Sequence, residues 1–287
     1  MKTRLLLLFV IPILWLTSAY GMKMVRLYQI DVPVTGQSDE EKVTAIKQGF
    51  IEMLVRLSGD KQIDSHPNLQ GSLKKPEAYV EELRYQSLLR SPTPYALSIR
   101  FNKDDLNRLL KRAGISIWGE KRPVVLVWLT VTDQSHANEI IGNDTPDTVF
   151  NLIKKEGRQF GLPLIFPMMD MIDLTLISPM DINSASLIKL KAASRRYAAD
   201  AILIGNIQQN NDAYASAWQL AVGEKTWDFT LNDNNYPQLF GDLLTKVSQT
   251  LSKQKFVKRA DAQSSSFFQS FNVQDFYIVK LLNQWTS

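Results

Sequence analysis

Three carboxylates stand close enough along the chain to act together: Asp170 and Asp173 in the stretch Pro167-Met168-Met169-Asp170-Met171-Ile172-Asp173, and Asp181 shortly after. The stretch leaves a short apolar strand, and ligands of α/β sheets bind beyond the carboxyl ends of strands. Paired carboxylates there would serve glycoside hydrolysis, or would hold Mg²⁺ or Ca²⁺ through oxygen. The competing reading makes Asp173 and Asp181 turn and cap residues that hydrogen-bond their own backbone. The expectation is therefore no metal centre, with Asp170, Asp173 and Asp181 as the weak candidates for one.

Other chemistries find less. The chain has two histidines, His66 and His136, each in polar loop sequence beside Ser65 and Ser135. No Gly-x-Ser-x-Gly elbow accompanies them, and two lone loop histidines read as solvated surface residues rather than catalytic bases. There is no cysteine, which excludes a disulfide scaffold, thiolate catalysis, Cys-ligated zinc, iron–sulfur clusters and an acylated lipoprotein anchor. No glycine-rich phosphate cradle occurs. These absences predict a protein without cofactor and without catalytic residues.

Of 287 residues, 45% are hydrophobic and 22% charged, enough for one large or two ordinary domains with real cores. Thirty-three Lys and Arg oppose 29 Asp and Glu, a net +4, which falls to +2 once Lys2 and Arg4 are removed with the segment that carries them. So small an excess makes no concentrated basic field, and nucleic acid is not an expected partner. The basic linker residues Lys253, Lys255, Lys258 and Arg259 allow at most peripheral membrane contact.

Lys2 and Arg4 precede an unbroken apolar run, Leu5 to Leu16, followed by the small-residue stretch Thr17-Ser18-Ala19-Tyr20-Gly21. This pattern predicts a secretory signal peptide cleaved after about Gly21. A spanning helix needs about 20 apolar residues, and this run is shorter and carries Pro12. The mature protein is expected in an exported compartment, the periplasm of a Gram-negative bacterium.

The elements that would position these residues read as follows. Met24 to Val34 forms a strand, and Ser38 with Glu41 starts a helix on which Val43, Ile46, Phe50, Met53, Leu54 and Leu57 fall on one stripe before Gly59 stops it. A second helix is expected between Pro67 and Leu83. Tyr95, Leu97, Ile99 and Phe101 alternate as a half-buried strand, and Asn102 caps a short helix closed by Gly114. Val124 to Val131 is a strand apolar on both faces. A polar loop runs from Thr132 to Asp144, and Thr145-Pro146 opens a helix to about Phe160. Leu162 to Phe166 is a short strand, Ser184 to Tyr197 a helix, and Ala201 to Ile207 a buried strand. A hairpin turns at Gly223-Glu224, and a helix from Pro237 to Leu251 buries Phe240, Leu243, Leu244, Val247 and Leu251.

The predicted fold class is α/β (α+β): two α/β layer domains with mixed sheets and a C-terminal aromatic amphipathic helix. The expected division is 1–21 signal peptide, 22–118 first domain, 119–252 second domain, 253–266 linker and 267–287 C-terminal segment. That segment holds Phe267, Phe268, Phe271, Phe276, Tyr277 and Trp285, too much apolar surface for its length to cover by itself. It packs on the body or lies in a partner's groove, and these six residues are the partner-binding candidates.

Several strings resemble the bacterial domain of unknown function 2066 family of exported proteobacterial proteins. They are Tyr28-Gln29-Ile30-Asp31-Val32-Pro33-Val34-Thr35-Gly36-Gln37-Ser38, Leu54-Val55-Arg56-Leu57-Ser58-Gly59-Asp60, Ile117-Trp118-Gly119, Arg122-Pro123 with Val127-Trp128-Leu129, Gly161-Leu162-Pro163-Leu164, and Ala193-Ser194-Arg195-Arg196-Tyr197. The resemblance implies export, no established enzyme activity and no catalytic residues to carry over. Longer members continue past the segment resembling Phe271 to Trp285. The element order of the second unit is also similar to periplasmic domains of curli secretion and flagellar T-ring proteins, a likeness of fold that carries no function by itself.

These readings converge on a non-catalytic periplasmic accessory or structural protein of a cell-envelope assembly. Its expected partners are other envelope proteins, such as an outer-membrane secretion complex. Two alternatives remain open at this level: an envelope hydrolase using Asp170 and Asp173, and a periplasmic carrier of a small ligand.

Overall fold

A computed structural model describes residues 27–88, 93–143, 147–254 and 256. The signal-peptide reading of 1–21 and the aromatic segment 267–287 fall outside the described residues. The fold is α+β, as its alternating and periodic stretches predict, and it is built on two sheets.

The first sheet is antiparallel, in the order β1 (Gln29–Val34), β3 (Tyr95–Phe101), β2 (Val80–Ser87). Helix α1 (Asp39–Ser58) lies on it. Ser38 accepts the Glu41 N–H at 3.2 Å and caps α1, but the Glu41 carboxylate turns to the Thr35 hydroxyl instead of closing a capping box. Gly59, at φ 72°, ends the helix in the left-handed conformation that glycine adopts without a Cβ clash. Close packing of helix on sheet needs Gly49, whose missing Cβ would come within 2.8 Å of Ile99.

The helix expected between Pro67 and Leu83 does not form. Pro67 and Pro76 each open a 3-10 turn around the single-turn helix α2 (Gln70–Leu73), and Val80 onward is strand β2. Pairing decides the matter: Glu82 lies opposite Arg100 and ion-pairs with it, and the strand satisfies the outer edge of β3. Helix α3 (Lys103–Arg112) follows, capped by Asn102 as expected.

The second sheet is mixed, in the order β5 (Ala137–Ile140), β4 (Val125–Thr132), β7 (Ala201–Asn210), β8 (Ala213–Val222), β9 (Lys225–Asp233), with β6 (Leu164–Ile165) beside the start of β4. Strand β4 runs parallel to β6 and β7; the remaining pairings are antiparallel. The polar stretch expected to be loop therefore contains β5. Helix α4 (Thr148–Gln159) starts later than expected, capped by Asp147; the Thr145-Pro146 pair expected to open it lies outside the described residues.

β4 is apolar on both faces because both are covered. Val125, Val127, Leu129 and Val131 point into a core shared with α1, α3, α4, α8 (Tyr236–Ser252) and the first sheet, while Leu126 and Trp128 point the other way. The second face is roofed by α5 (Met171–Leu176), α6 (Pro179–Asn183) and α7 (Leu187–Ser194), where only one helix, Ser184 to Tyr197, was expected. Among the described residues no helix is long and apolar enough to cross a membrane.

One apolar cluster runs through both sheets, across the expected boundary at 118/119. The connection there is tight. The Trp118 N–H donates to the Leu57 carbonyl at 2.8 Å, and Arg122 donates to the carbonyls of Arg56 at 2.7 Å and Trp118 at 3.0 Å while stacking 3.9 Å over the Trp118 ring. Lys61, just past α1, pairs with buried Glu156 of α4 at 2.5 Å.

Trp218 lies directly opposite Gly205 and fills the space a side chain would take: a Cβ at 205 would come within 2.1 Å of its ring. Gly205→Ala is expected to cost about 1–3 kcal/mol through overpacking. Gly119→Ala, with no atom within 4 Å of the new Cβ, should stay within about 0.5 kcal/mol of the parent. Urea unfolding followed by tryptophan fluorescence measures both.

Candidate functional site

The structure brings two of the three expected carboxylates together and sets the third apart. Asp170 caps α5, accepting the Ile172 and Asp173 N–H groups at 3.1 Å, and holds Arg196 through both oxygens at 2.7 and 2.6 Å. This fork, the strongest form of ion pair, and the two N–H groups keep the Asp170 carboxyl far below the usual carboxylate range. Asp173 is fully buried. One of its oxygens accepts Arg196 at 3.2 Å; the other accepts the Met169 N–H at 3.1 Å and the Tyr197 hydroxyl. Burial, then the bond to Asp173, pushes the Tyr197 phenol well above its ordinary value, so it stays a donor. Met169 is held at φ 52°, a conformation rare for its type, with its N–H fixed on Asp173.

Asp181 closes a capping box with Ser178 at the start of α6, accepting the Ser178 N–H at 2.9 Å, and pairs with Lys189 at 2.7 Å. Lys189, then Ser178, lowers its carboxyl to about 2. Each of the three carboxylates is thus occupied by protein donors. Among the described residues no three His, Asp or Glu side chains stand together as a metal-ligand set.

What these carboxylates hold in place is an unusual surface. Of the six residues of α5 only Asp173 is buried; its apolar side chains face out. Met171 is 77% exposed, Ile172 55%, Leu174 58% and Leu176 50%, and they are joined by Met168, by Met180 of α6 at 71% and by Ile188 of α7 at 87%. Of the nine large apolar side chains exposed among the described residues, seven lie on this ridge. Beneath it, Ile177, Ile182 and Leu190 pack on Leu126, Trp128 and Ile204, and the roof is pinned by Trp128 to Ser194 at 3.0 Å and Thr130 to Asn183 at 2.6 Å. A buried carboxylate under exposed aliphatics inverts the usual arrangement, and large exposed apolar patches mark contact surfaces.

His136 corrects a second expectation. It is not a solvated loop residue but 9% exposed, with Nδ1 on Asp133 at 2.7 Å and Nε2 on Asp147 at 2.6 Å. The Tyr236 hydroxyl donates to the second oxygen of Asp133 at 2.5 Å, so the cluster joins the β4–β5 turn to the starts of α4 and α8. Burial alone would lower the imidazole pKa, but the bonds to Asp147 and Asp133 outweigh it and hold the ring above its ordinary value. With both ring nitrogens engaged, none is left to take a proton from a nucleophile. The sequence signal was an Asp three residues before the histidine and another eleven after it; the tyrosine lies 100 residues further on. His66 sits apart, between the 3-10 turns of the first unit. The Phe267–Trp285 candidates lie outside the described residues. An open hollow lies beside α3, lined by Asp104, Asn107, Arg108, Lys111 and 114–117.

Comparison with known families corrects the expected resemblance. The family model that matches is a domain of unknown function (DUF8605), over residues 22–119, and it is a different family from domain of unknown function 2066. The match covers the strings from Tyr28 to Gly119 and none of those after it. No curated protein matches the chain.

Two measurements probe the geometry. Tyr197→Phe removes a donor from a buried carboxylate and should cost about 1–3 kcal/mol of stability in urea unfolding. His136 has a raised folded-state pKa, so its contribution is complete below the unfolded value of about 6.5 and is lost as pH rises through the folded value. Thermal melting from pH 6 to 9 should therefore show a decline in the parent protein that His136→Gln lacks.

Proposed function

We propose that this chain is a non-catalytic accessory or structural protein of a cell-envelope assembly, exported through its N-terminal segment and working in the periplasm. The observation that carries the reading is the apolar ridge on α5–α7, held outward by a buried Asp173 and the Arg196 fork. A protein keeps such a surface for a partner, because exposed aliphatic side chains otherwise invite aggregation. Two further features support it. The carboxylates that would serve a hydrolase are committed to Arg196, Tyr197, Ser178 and Lys189, and His136 has both nitrogens committed to Asp133 and Asp147. The basic, apolar, then small-residue order of 1–21 supports the address.

In-cell crosslinking of the tagged chain in its native envelope, followed by mass spectrometry, tests the proposal. The expected result is a stoichiometric set of envelope proteins whose recovery falls about tenfold or more in Ile172→Asp/Leu174→Asp, as for loss of an interface anchor. Recovery of the chain with no envelope protein at all would overturn it.

A further inference from the structure

We infer that the α5–α7 ridge seats a second copy of this chain, in a two-fold dimer; the inference rests on the reading of that ridge as a contact surface. Three observations favour this occupant. The first is size: the exposed side chains of the ridge together present on the order of 800 Å², the area each partner gives to an interface of standard size.

The second is charge. In a two-fold interface every residue meets the surroundings of its own counterpart, so an unpaired charge on the ridge would face itself and repel. Asp170, Asp173 and Asp181 are each neutralised within the chain, by Arg196, by Arg196 with Tyr197, and by Lys189. The side chains that project from α5 itself are uncharged. Met171 and Met180, with flexible and polarisable side chains, can adapt to a copy of themselves.

The third is the placing of the other occupants. α8, from which the C-terminal segment departs, packs on the opposite face of the second sheet, with α4 and β9. The last described helix thus lies across the sheet from the ridge. A lipid surface is also a poor fit. Residues 168–188 contain no aromatic side chain, whereas interfacial anchors favour Trp and Tyr. Three of the four basic side chains that follow, Lys189, Lys191 and Arg196, are already paired with carboxylates.

Sedimentation equilibrium of the full exported chain, over about 1–100 µM, tests this, since interfaces of this size dissociate in or below that range. The expected result is a dimer whose dissociation constant rises about tenfold or more in Met180→Asp and in Ile188→Asp, with unchanged far-ultraviolet circular dichroism. The absence of cysteine allows a second readout: Ile188→Cys should give dimers with a short bis-maleimide, and Val43→Cys, exposed on α1, should not.

A parent protein monomeric throughout the range overturns the inference, and so does a dimer indifferent to both aspartates. A monomer that dimerises only after removal of 257–287 places the chain's own end on the ridge, and a monomer that binds anionic vesicles through Ile188 places a lipid there; either overturns it. Failure here is separable from failure of the functional reading. A monomer that still recovers other envelope proteins in cells sinks only the dimer, and a dimer that recovers none sinks only the assembly.

Discussion

Arg122 is a buried cation that meets no carboxylate among the described residues, and the arrangement of both sheets depends on how its charge is answered. Burial, and the neighbouring Arg56, lower its guanidinium to about 9, which still leaves it charged at neutral pH. What answers the charge is the C-terminal end of α1, where the last carbonyls are unpaired and the helix dipole is negative. Arg122 takes the Arg56 carbonyl, and the Trp118 N–H takes that of Leu57. The segment leaving the first sheet is thereby clamped to the helix that covers that sheet. Arg56 points the other way, to the Gln29 carbonyl at the start of β1 and to Glu52. One helix end thus anchors the first strand of one sheet and the chain entering β4 of the other. The matched family's boundary at residue 119 falls on this clamp.

The roof over the second sheet answers a different constraint. Burying a carboxylate costs several kcal/mol unless hydrogen bonds and an opposite charge replace its water, and Asp173 receives all of these from Met169, Tyr197 and Arg196. The consequence is orientation: with Asp173 tied down, α5 cannot roll Met171, Ile172, Leu174 and Leu176 inward. The apolar ridge is therefore a fixed surface. Trp128, packed edge-on against Tyr197 at 6.4 Å and bonded to Ser194, links it to the centre of the sheet.

Much of this was legible in the residues wherever local pattern and tertiary use agree. Helix α1 between Ser38 and Gly59, the hairpin at Gly223-Glu224, and α8 all follow caps, turns and periodicity. Strand β4 announced its two covered faces by its unbroken apolar run. Where reading failed, the deciding partner was distant. Val80 to Ser87 carries too many charges to look like a strand, and only Arg100 across the ladder explains them. α5 defeats periodicity because its pattern is inverted. The pairing of Asp170 with Asp173 was visible from their spacing; the guanidinium that claims both comes 26 residues after Asp170. His136 needed Asp147 and, through Asp133, a tyrosine on the last described helix.

The order of strands in the second sheet has a kinetic side. β4 gains β5 almost at once, along one edge, but its other edge must wait for β7, whose first residues follow those of β4 by 76 positions. Closing a loop of that length costs about 4 kcal/mol of chain entropy before any contact repays it. In the first sheet β2 and β3 are near neighbours in the chain and face no such delay, whereas β1 waits for β3 much as β4 waits for β7. Folding is therefore staggered, and during the interval the most apolar strand of the protein offers an open edge to any other chain nearby. The slow partner is β7, and the time it takes to arrive sets how long the newly made chain needs shelter.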